Sequence, residues 1–297
     1  MPVWKNIFKW KKILQGCENL NAEIEVEEAA YAGFPDPLRG FIWFALLRAG
    51  QLRRSISSDY VDYLKRETTE CNSSVEQTIC RDLHRTFPKH VMFQYVGGLG
   101  QRSLFNVLRA YSEFDRELGY TQGMCFVVGF LLCFMQEEDC FWVFSSLMKS
   151  PAFEMRSLYV TGLPKLQFLQ RALEHLMEKR FPHLRSHMEM LGIHTSAYAA
   201  SWFMTLFTYS LRLPVAVRVF DLFVFKGWVA LLEVALAILS HLRESILSTD
   251  EFETVLRILE SEPKELTDAE TLMMHAKCSQ VQEIDLATLI VGKEEMV

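Results

Sequence analysis

Three short groups of residues have types and spacings suited to chemistry. The first is Ile79-Cys80-Arg81-Asp82-Leu83-His84-Arg85-Thr86-Phe87-Pro88. Ile79, Asp82 and Arg85 stand three apart, so on a helix they share a face and Asp82 can hold the Arg85 guanidinium. A planar guanidinium oriented by a carboxylate near a helix end is well placed to reach a phosphate. The second is Gly119-Tyr120-Thr121-Gln122-Gly123-Met124. Glycines on both sides free the backbone, and Gln122 presents an amide at the start of an apolar run. An amide donates and accepts at once, so it can hold a water. The third is Leu38-Arg39-Gly40-Phe41-Ile42-Trp43, which puts Arg39 and Trp43 on one helical face with the cation along the indole. Taken singly, each group also reads as ordinary structure. The alternatives are a solvated ion pair of about 0.3–0.5 kcal/mol, an exposed turn amide and a packing pair.

The elements that must position these residues are helices. Leu104, Val107, Leu108, Tyr111 and Phe114 keep an i, i+3, i+4, i+7 spacing, as do Leu166, Leu169, Leu173 and Leu176. Runs around Phe203–Leu211 and Val229–Leu242 are apolar on most sides, which predicts buried helices. Alternating strand patterns and Asn-Gly or Asp-Gly hairpin signals are missing. The fold class is therefore all-α, with roughly a dozen or more helices. Breaks follow Pro and Gly. Asp36 is a candidate cap with Pro37 in the first turn, Pro88 ends the helix that carries Asp82, and Ser103 can cap the helix after the glycine-rich loop 96–100. Pro151, Pro164, Pro182, Pro214 and Pro263 mark later breaks, and residues 67–75 read as a surface loop. One continuous helical domain over 31–280 is expected, with an N-terminal segment, 1–30, and a tail, 281–297.

Composition narrows the function classes. Half of the 297 residues are apolar, enough to bury a sizeable core. The net charge of −6 argues against duplex nucleic acid as partner, because phosphate contacts need a basic face. The charge is uneven. Residues 1–16 carry Lys5, Lys9, Lys11 and Lys12 with no acid, while from Asp250 onward twelve acids face four Lys or Arg. The longest charge-free apolar run, Met124–Gln136, is 13 residues, short for a membrane span, so no transmembrane segment is expected. Cysteines at 17, 71, 80, 125, 133, 140 and 278 form no CxxC pair and read as buried reduced thiols of a cytoplasmic protein. His175, His183, His187 and His194 read as surface histidines, and no metal site is expected. P-loop, GxSxG and HExxH patterns are missing.

The order of the three groups carries more than any one of them. RxxxW at 39–43, IxxDxxR at 79–85 and YxQ at 120–122 resemble, in form and order, the signature motifs of the TBC-domain family of Rab GTPase-activating proteins. Ser201-Trp202-Phe203-Met204-Thr205-Leu206-Phe207 and Arg218-Val219-Phe220-Asp221 look like the family's later segments. One departure is Phe220, where the family usually has Trp; slightly looser packing is expected there. The resemblance implies a TBC-type helical domain over roughly residues 30–280. It also implies that Arg85 and Gln122 act as arginine and glutamine fingers on a GTP-bound Rab-type GTPase, as catalytic residues supplied in trans. Asp82 would then fix Arg85, Tyr120 would position the turn that carries Gln122, and Arg39 and Trp43 would brace the floor beneath both. GTP and Mg2+ would belong to the GTPase, so the chain itself would need no cofactor and have no independent catalytic activity.

The resemblance leaves two alternatives. A TBC-like fold could bind a Rab as a non-catalytic scaffold, although retention of both Arg85 and Gln122 favours catalysis. The basic, aromatic residues 1–16 could touch an anionic membrane surface weakly or pack on the domain. A cytoplasmic location, peripheral on endomembranes, is expected with either.

Overall fold

The computed structural model describes residues 27–66 and 70–281, with the backbone alone described for 70–73. The N-terminal basic stretch and most of the expected tail lie outside the described residues. Every regular element among the described residues is helical. These residues fall into two compact units, Pro35–Val160, and 27–34 with 161–281. The expected domain over 31–280 spans both.

The first unit opens with a 3-10 turn, Asp36–Leu38. It continues through α1 (Arg39–Leu46), α2 (Ala49–Ser55), α3 (Tyr60–Leu64), α4 (Glu70–Leu83), α5 (Leu99–Phe114), α6 (Met124–Leu132) and α7 (Glu137–Lys149), with a last 3-10 turn at Met155–Leu158. Met-Cys-Phe-Val-Val-Gly-Phe-Leu-Leu is apolar on all sides, so α6 must be enclosed, and every residue of it is buried. The amphipathic α5 packs on α4, α6 and α7. Of its predicted stripe, Leu104, Val107, Leu108 and Tyr111 are buried and Phe114 is half-buried.

The second unit holds residues 27–34, α8 (Pro164–Arg180), α9 (Pro182–Met190), α10 (Thr195–Met204), α11 (Leu213–Lys226), α12 (Trp228–Leu247), α13 (Phe252–Ser261) and α14 (Ala269–Ser279). The largely apolar α12 is its centre and packs against α8, α9, α11, α13 and α14. Pro164, Pro182 and Pro214 each stand in the first turn of a helix, where a missing N–H costs nothing. Phe220 is fully buried with Phe223 beside it, ring centroids 5.8 Å apart.

Several local expectations need correction. Asp36 caps no helix; its carboxylate pairs with Arg39 instead. The helix after the glycine-rich loop starts at Leu99, with Gly98 and not Ser103 at its N-cap. The presumed loop 67–75 is helical from Glu70 onward. There Arg109 of α5 binds Glu76 at 2.6 Å and the carbonyls of Leu64 and Arg66, tying α4 to the chain before it. That tertiary tie outweighs the poor helix propensity of Asn72-Ser73-Ser74. Cys80 and Cys278 are exposed and Cys133 is half-buried, whereas Cys125 and Cys140 are buried as expected; Cys17 and the Cys71 side chain lie outside what is described. His187 is not a surface residue: its ring is half-buried and its Nε2 lies 3.0 Å from the Thr249 carbonyl oxygen.

Candidate functional site

The first unit brings four of the six predicted residues to one place. Helix α4 ends at Leu83, five residues before Pro88. Its end is set locally: the Thr86 hydroxyl donates to the Asp82 carbonyl at 2.8 Å, and Phe87 takes a left-handed φ of 46°. The backbone N–H groups of Arg85 and Thr86 bond three residues back, to Asp82 and Leu83. Proline is therefore not the stop signal. A hydroxyl bond to the last turn and a left-handed residue turn the chain first.

This turn sets Arg85 outward. Its Nη2 lies 2.7 Å from Asp82 Oδ1, with the Arg85 side chain 44% exposed and that of Asp82 only 7%. Burial works against the charge on Arg85, but its hydrogen bond to Asp82 and the carboxylate charge outweigh it and raise the pKa. The second carboxylate oxygen, Oδ2, accepts from the Tyr120 hydroxyl and lies 4.0 Å from the Cys125 thiol. Burial, followed by the surrounding negative groups, pushes the Tyr120 phenol well up, and burial raises the Cys125 thiol. Both stay protonated, as donors to a carboxylate must be. Asp82 thus serves two chain segments that lie 38 residues apart.

Tyr120 is two residues from Gln122, and the glycines around them behave as predicted. Gly119 has φ 65° and Gly123 φ 108°, conformations that a side chain would strain. Gly123 is the N-cap of α6, so Gln122 stands just outside the helix. It is exposed, and its side-chain amide makes no hydrogen bond among the described residues. The approach to this turn is also held. Arg156 binds Asp115 at 2.7 Å and Glu117 at 2.8 Å, and the Asp115 carboxylate accepts from the Leu118 N–H. Burial works to raise the pKa of Asp115, but the bonds from Arg156, the Leu118 N–H and Tyr111, with the Arg156 charge, together outweigh it and lower the pKa.

Arg39 and Trp43 lie at the other end of α6. Trp43 is fully buried, stacked on Phe130 at 5.6 Å and edge-on to Phe134 at 5.0 Å. The Arg39 guanidinium sits 6.0 Å from the Phe134 ring centroid. Between them Gly40 passes so close to the Phe134 carbonyl that a Cβ would come within 2.3 Å. A nine-residue helix is about 13 Å long, so this pair reaches Gln122 only through α6.

Other contributors were not predicted. Gly129 of α6 faces the Arg85 turn, where a Cβ would sit 3.0 Å from Thr86 Cγ2 and 3.3 Å from the Phe87 ring. Phe87 packs edge-on against Phe126 of α6 at 5.9 Å. An isolated glycine inside an apolar helix was the one visible signal for this close approach. Nothing in the spacing signalled the tie between Asp82 and Tyr120, because it forms only when α4 and α6 pack.

Residues 36–247 match the Rab-GTPase-TBC domain family. The chain is 36% identical over 243 residues to the human Ecotropic viral integration site 5 protein homolog, covering 81% of this chain and 29% of that protein. It is 35% identical over 270 residues to the Rab GTPase-activating protein eat-17 of Caenorhabditis elegans, covering 89% and 29%. The chain thus spans under a third of the length of these relatives. Two solved structures share the fold. The Chlamydomonas flagellar RabGAP TBC domain has a TM-score of 0.75 at 23% identity, covering 92% of this chain and 90% of that one. The Ypt/Rab-GAP domain of Gyp1p has a TM-score of 0.74 at 18% identity, covering 94% and 98%. A resemblance read from three short motifs thereby becomes a statement about the chain, which belongs to the Rab-GTPase-TBC domain family.

Proposed function

We propose that this chain stimulates GTP hydrolysis on a Rab-type GTPase, with Arg85 and Gln122 completing that partner's active site. One observation carries the reading: a single buried carboxylate, Asp82, orients the exposed Arg85 and also binds Tyr120, beside the exposed Gln122. Hydrolysis needs relief of charge on the transferring phosphoryl oxygens and a water held in line. Arg85 uses one nitrogen on Asp82 and keeps further donors for an anion. Gln122 offers a carbonyl to accept from a water and an NH2 group to donate. Asp82, Tyr120, Arg39 and Trp43 act as positioning residues.

GTP and its magnesium belong to the GTPase, and this chain contributes only its own side chains. An arginine finger supplied in trans raises the rate roughly 10³–10⁵-fold, about 4–7 kcal/mol of barrier. A lysine lacks the planar fork and replaces it poorly. On this reading the chain works in the cytoplasm at the surface of endomembranes. No helix of the described residues is long and apolar enough to cross a membrane.

The test is single-turnover phosphate release from a panel of GTP-loaded Rab proteins. Arg85→Ala and Gln122→Ala should each remove most of the stimulation while leaving the melting temperature unchanged. Full activity in the Arg85→Ala protein sinks the mechanism. A scaffold would bind GTPase loaded with a transition-state mimic no more tightly than GTPase loaded with an unhydrolysable analogue, whereas a catalyst must prefer the mimic.

A further inference from the structure

From residue 84 to residue 98 the chain forms a loop that carries Arg85 near its start, before α5 begins at Leu99. Two rings anchor it. Phe93 is 1% exposed, and Phe87 lies beside it, ring centroids 6.1 Å apart. Around these anchors Val91, Tyr95, Val96 and Leu99 are 73%, 69%, 78% and 77% exposed. Single exposed apolar side chains are ordinary on a soluble protein, but four within nine residues form a patch that asks for a cover.

The loop holding this patch is built to keep its shape. Gln101 is 5% exposed and uses both ends of its amide: Nε2 donates to the Phe93 carbonyl at 2.9 Å, and Oε1 accepts from the Gly97 N–H at 3.0 Å. Gly100 lets the start of α5 press on the loop, since a Cβ there would lie 2.1 Å from the Met92 carbonyl oxygen. Gly97 takes a φ of 68°, and the Gly98 N–H bonds back to the Tyr95 carbonyl. The ordering cost is therefore met at folding and not at docking. A buried amide that freezes an exposed apolar loop has no purpose in the core.

We infer that this apron of Val91, Tyr95, Val96 and Leu99 docks an apolar face of the GTPase beside its nucleotide pocket and helps select which GTPase is accepted. The inference rests on the function proposed above and adds a surface to it. Continuity argues for this occupant. Val91 follows Arg85 by six residues, and a chain spans at most about 3.3–3.6 Å per residue, so the apron begins within about 20 Å of the finger. A standard interface covers about 800 Å² on each partner, so a GTPase that receives Arg85 lies over this loop. Charge adds to the description of the partner. Residues 83–112 contain no acid, and the exposed Arg85, Lys89 and Arg102 flank residues 91–99 in the sequence. The face that fits is apolar with acidic surroundings. An anionic bilayer shares part of that chemistry, but the rigid frame and the covalent tie to Arg85 favour a protein surface.

The experiment uses the full chain and the panel of GTP-loaded Rab proteins, with stimulated hydrolysis measured against GTPase concentration. The double variant Val91→Ser with Val96→Ser should raise KM about tenfold for the preferred Rab, with kcat within twofold of wild type. Arg85→Ala should lower kcat instead. Gln101→Ala, with every apron side chain retained, should raise KM about threefold by loosening the frame. An unchanged KM in the double variant, with an unchanged melting temperature, overturns the apron and leaves the finger mechanism standing. Absence of stimulation of any Rab by the wild-type chain overturns the activator reading and this occupant with it. Flotation on phosphatidylserine vesicles that depends on Val91 and Val96, together with an unchanged KM, assigns the patch to a membrane and also overturns the inference.

Discussion

Each compact unit contains a buried acidic cluster, and the two are used differently. In the second unit Glu233, with a side chain 1% exposed, binds Lys226 at 2.8 Å and accepts from the Tyr31 hydroxyl at 2.9 Å. Nearby the fully buried Asp221 accepts from the Phe34 N–H at 2.9 Å, and Arg218 donates to the Tyr31 carbonyl at 2.7 Å. Every one of these bonds ends within the protein, and three of the four clasp residues 31–34. In the first unit Asp82 is buried just as its counterparts are, but the cation it holds is 44% exposed. A closed cluster serves stability, whereas a buried acid that orients an exposed cation serves a ligand. The Arg-x-x-Asp segment at 218–221 is thus a clasp, and on the proposed function the Asp-x-x-Arg pair at 82–85 is a presenter.

Removal of Glu233 makes the sharpest test of that contrast. Glu233→Ala leaves the Tyr31 hydroxyl and Lys226 without their main acceptor. Breaking a buried pair costs about 3–5 kcal/mol. Lys226 is 20% exposed and has Glu27 at 3.8 Å as a second acid, so the low end, about 3 kcal/mol, is expected. For a chain of this size the melting temperature should fall by about 6–12 °C, with stimulated hydrolysis per folded molecule unchanged. A loss of activity without a loss of stability would show that the clasp is not purely structural.

Asp82→Asn is the mirror experiment. The amide keeps the shape but loses the charge and one acceptor, so Arg85 is no longer held in one orientation. Stimulated hydrolysis should fall about 10–100-fold, or about 1.4–2.7 kcal/mol of barrier, with a stability loss near 1 kcal/mol. Tyr120→Phe removes one donor and should cost about 3–10-fold by the same route. Equal losses of stability in Asp82→Asn and Glu233→Ala would remove the distinction between the two clusters.

The contrast also marks what the sequence could reveal. Helical periodicity exposed the stripe of α5, because a period of 3.6 follows directly from burial of one face, and the uninterrupted apolar run of α6 exposed its enclosure. The Asp82–Arg85 pair was legible because its partners stand three residues apart. The tie from Asp82 to Tyr120, the Tyr31 hydroxyl on Glu233 and the Arg156 clamp on Asp115 were not legible, since each joins elements brought together only by packing. Helix ends misled for a related reason. Pro88 and Ser103 carry strong local signals, but the chain turns first at Thr86 and Phe87, and Gly98 admits the Tyr95 carbonyl while Gly100 admits that of Met92. The roles proposed for Arg85 and Gln122 come from the ordered motifs and not from local chemistry, which suits an ordinary ion pair and a turn amide equally well.

The smallest expected effect tests whether α6 sets the height of the finger turn. Gly129 has no functional group, yet its missing Cβ leaves room for Thr86 and Phe87. A methyl at 3.0 Å from Thr86 Cγ2 is tighter than normal contact, so the turn must move outward by a few tenths of an ångström. In an isolated helix Gly→Ala stabilises by about 0.8–1.0 kcal/mol, which offsets part of the overpacking cost of about 1–3 kcal/mol. Gly129→Ala should therefore change the melting temperature little. Stimulated hydrolysis should fall about three- to tenfold through kcat, with KM nearly constant, because the displaced group is the finger and not the docking apron. Gly40→Ala is the control at the far end of α6: its Cβ meets the Phe134 carbonyl at 2.3 Å, a rigid backbone atom. It should cost stability first, about 1–3 kcal/mol, and activity only in proportion to the unfolded fraction. If Gly129→Ala instead destabilises as Gly40→Ala does and leaves kcat intact, the Arg85 turn is positioned by α4 and Asp82 alone.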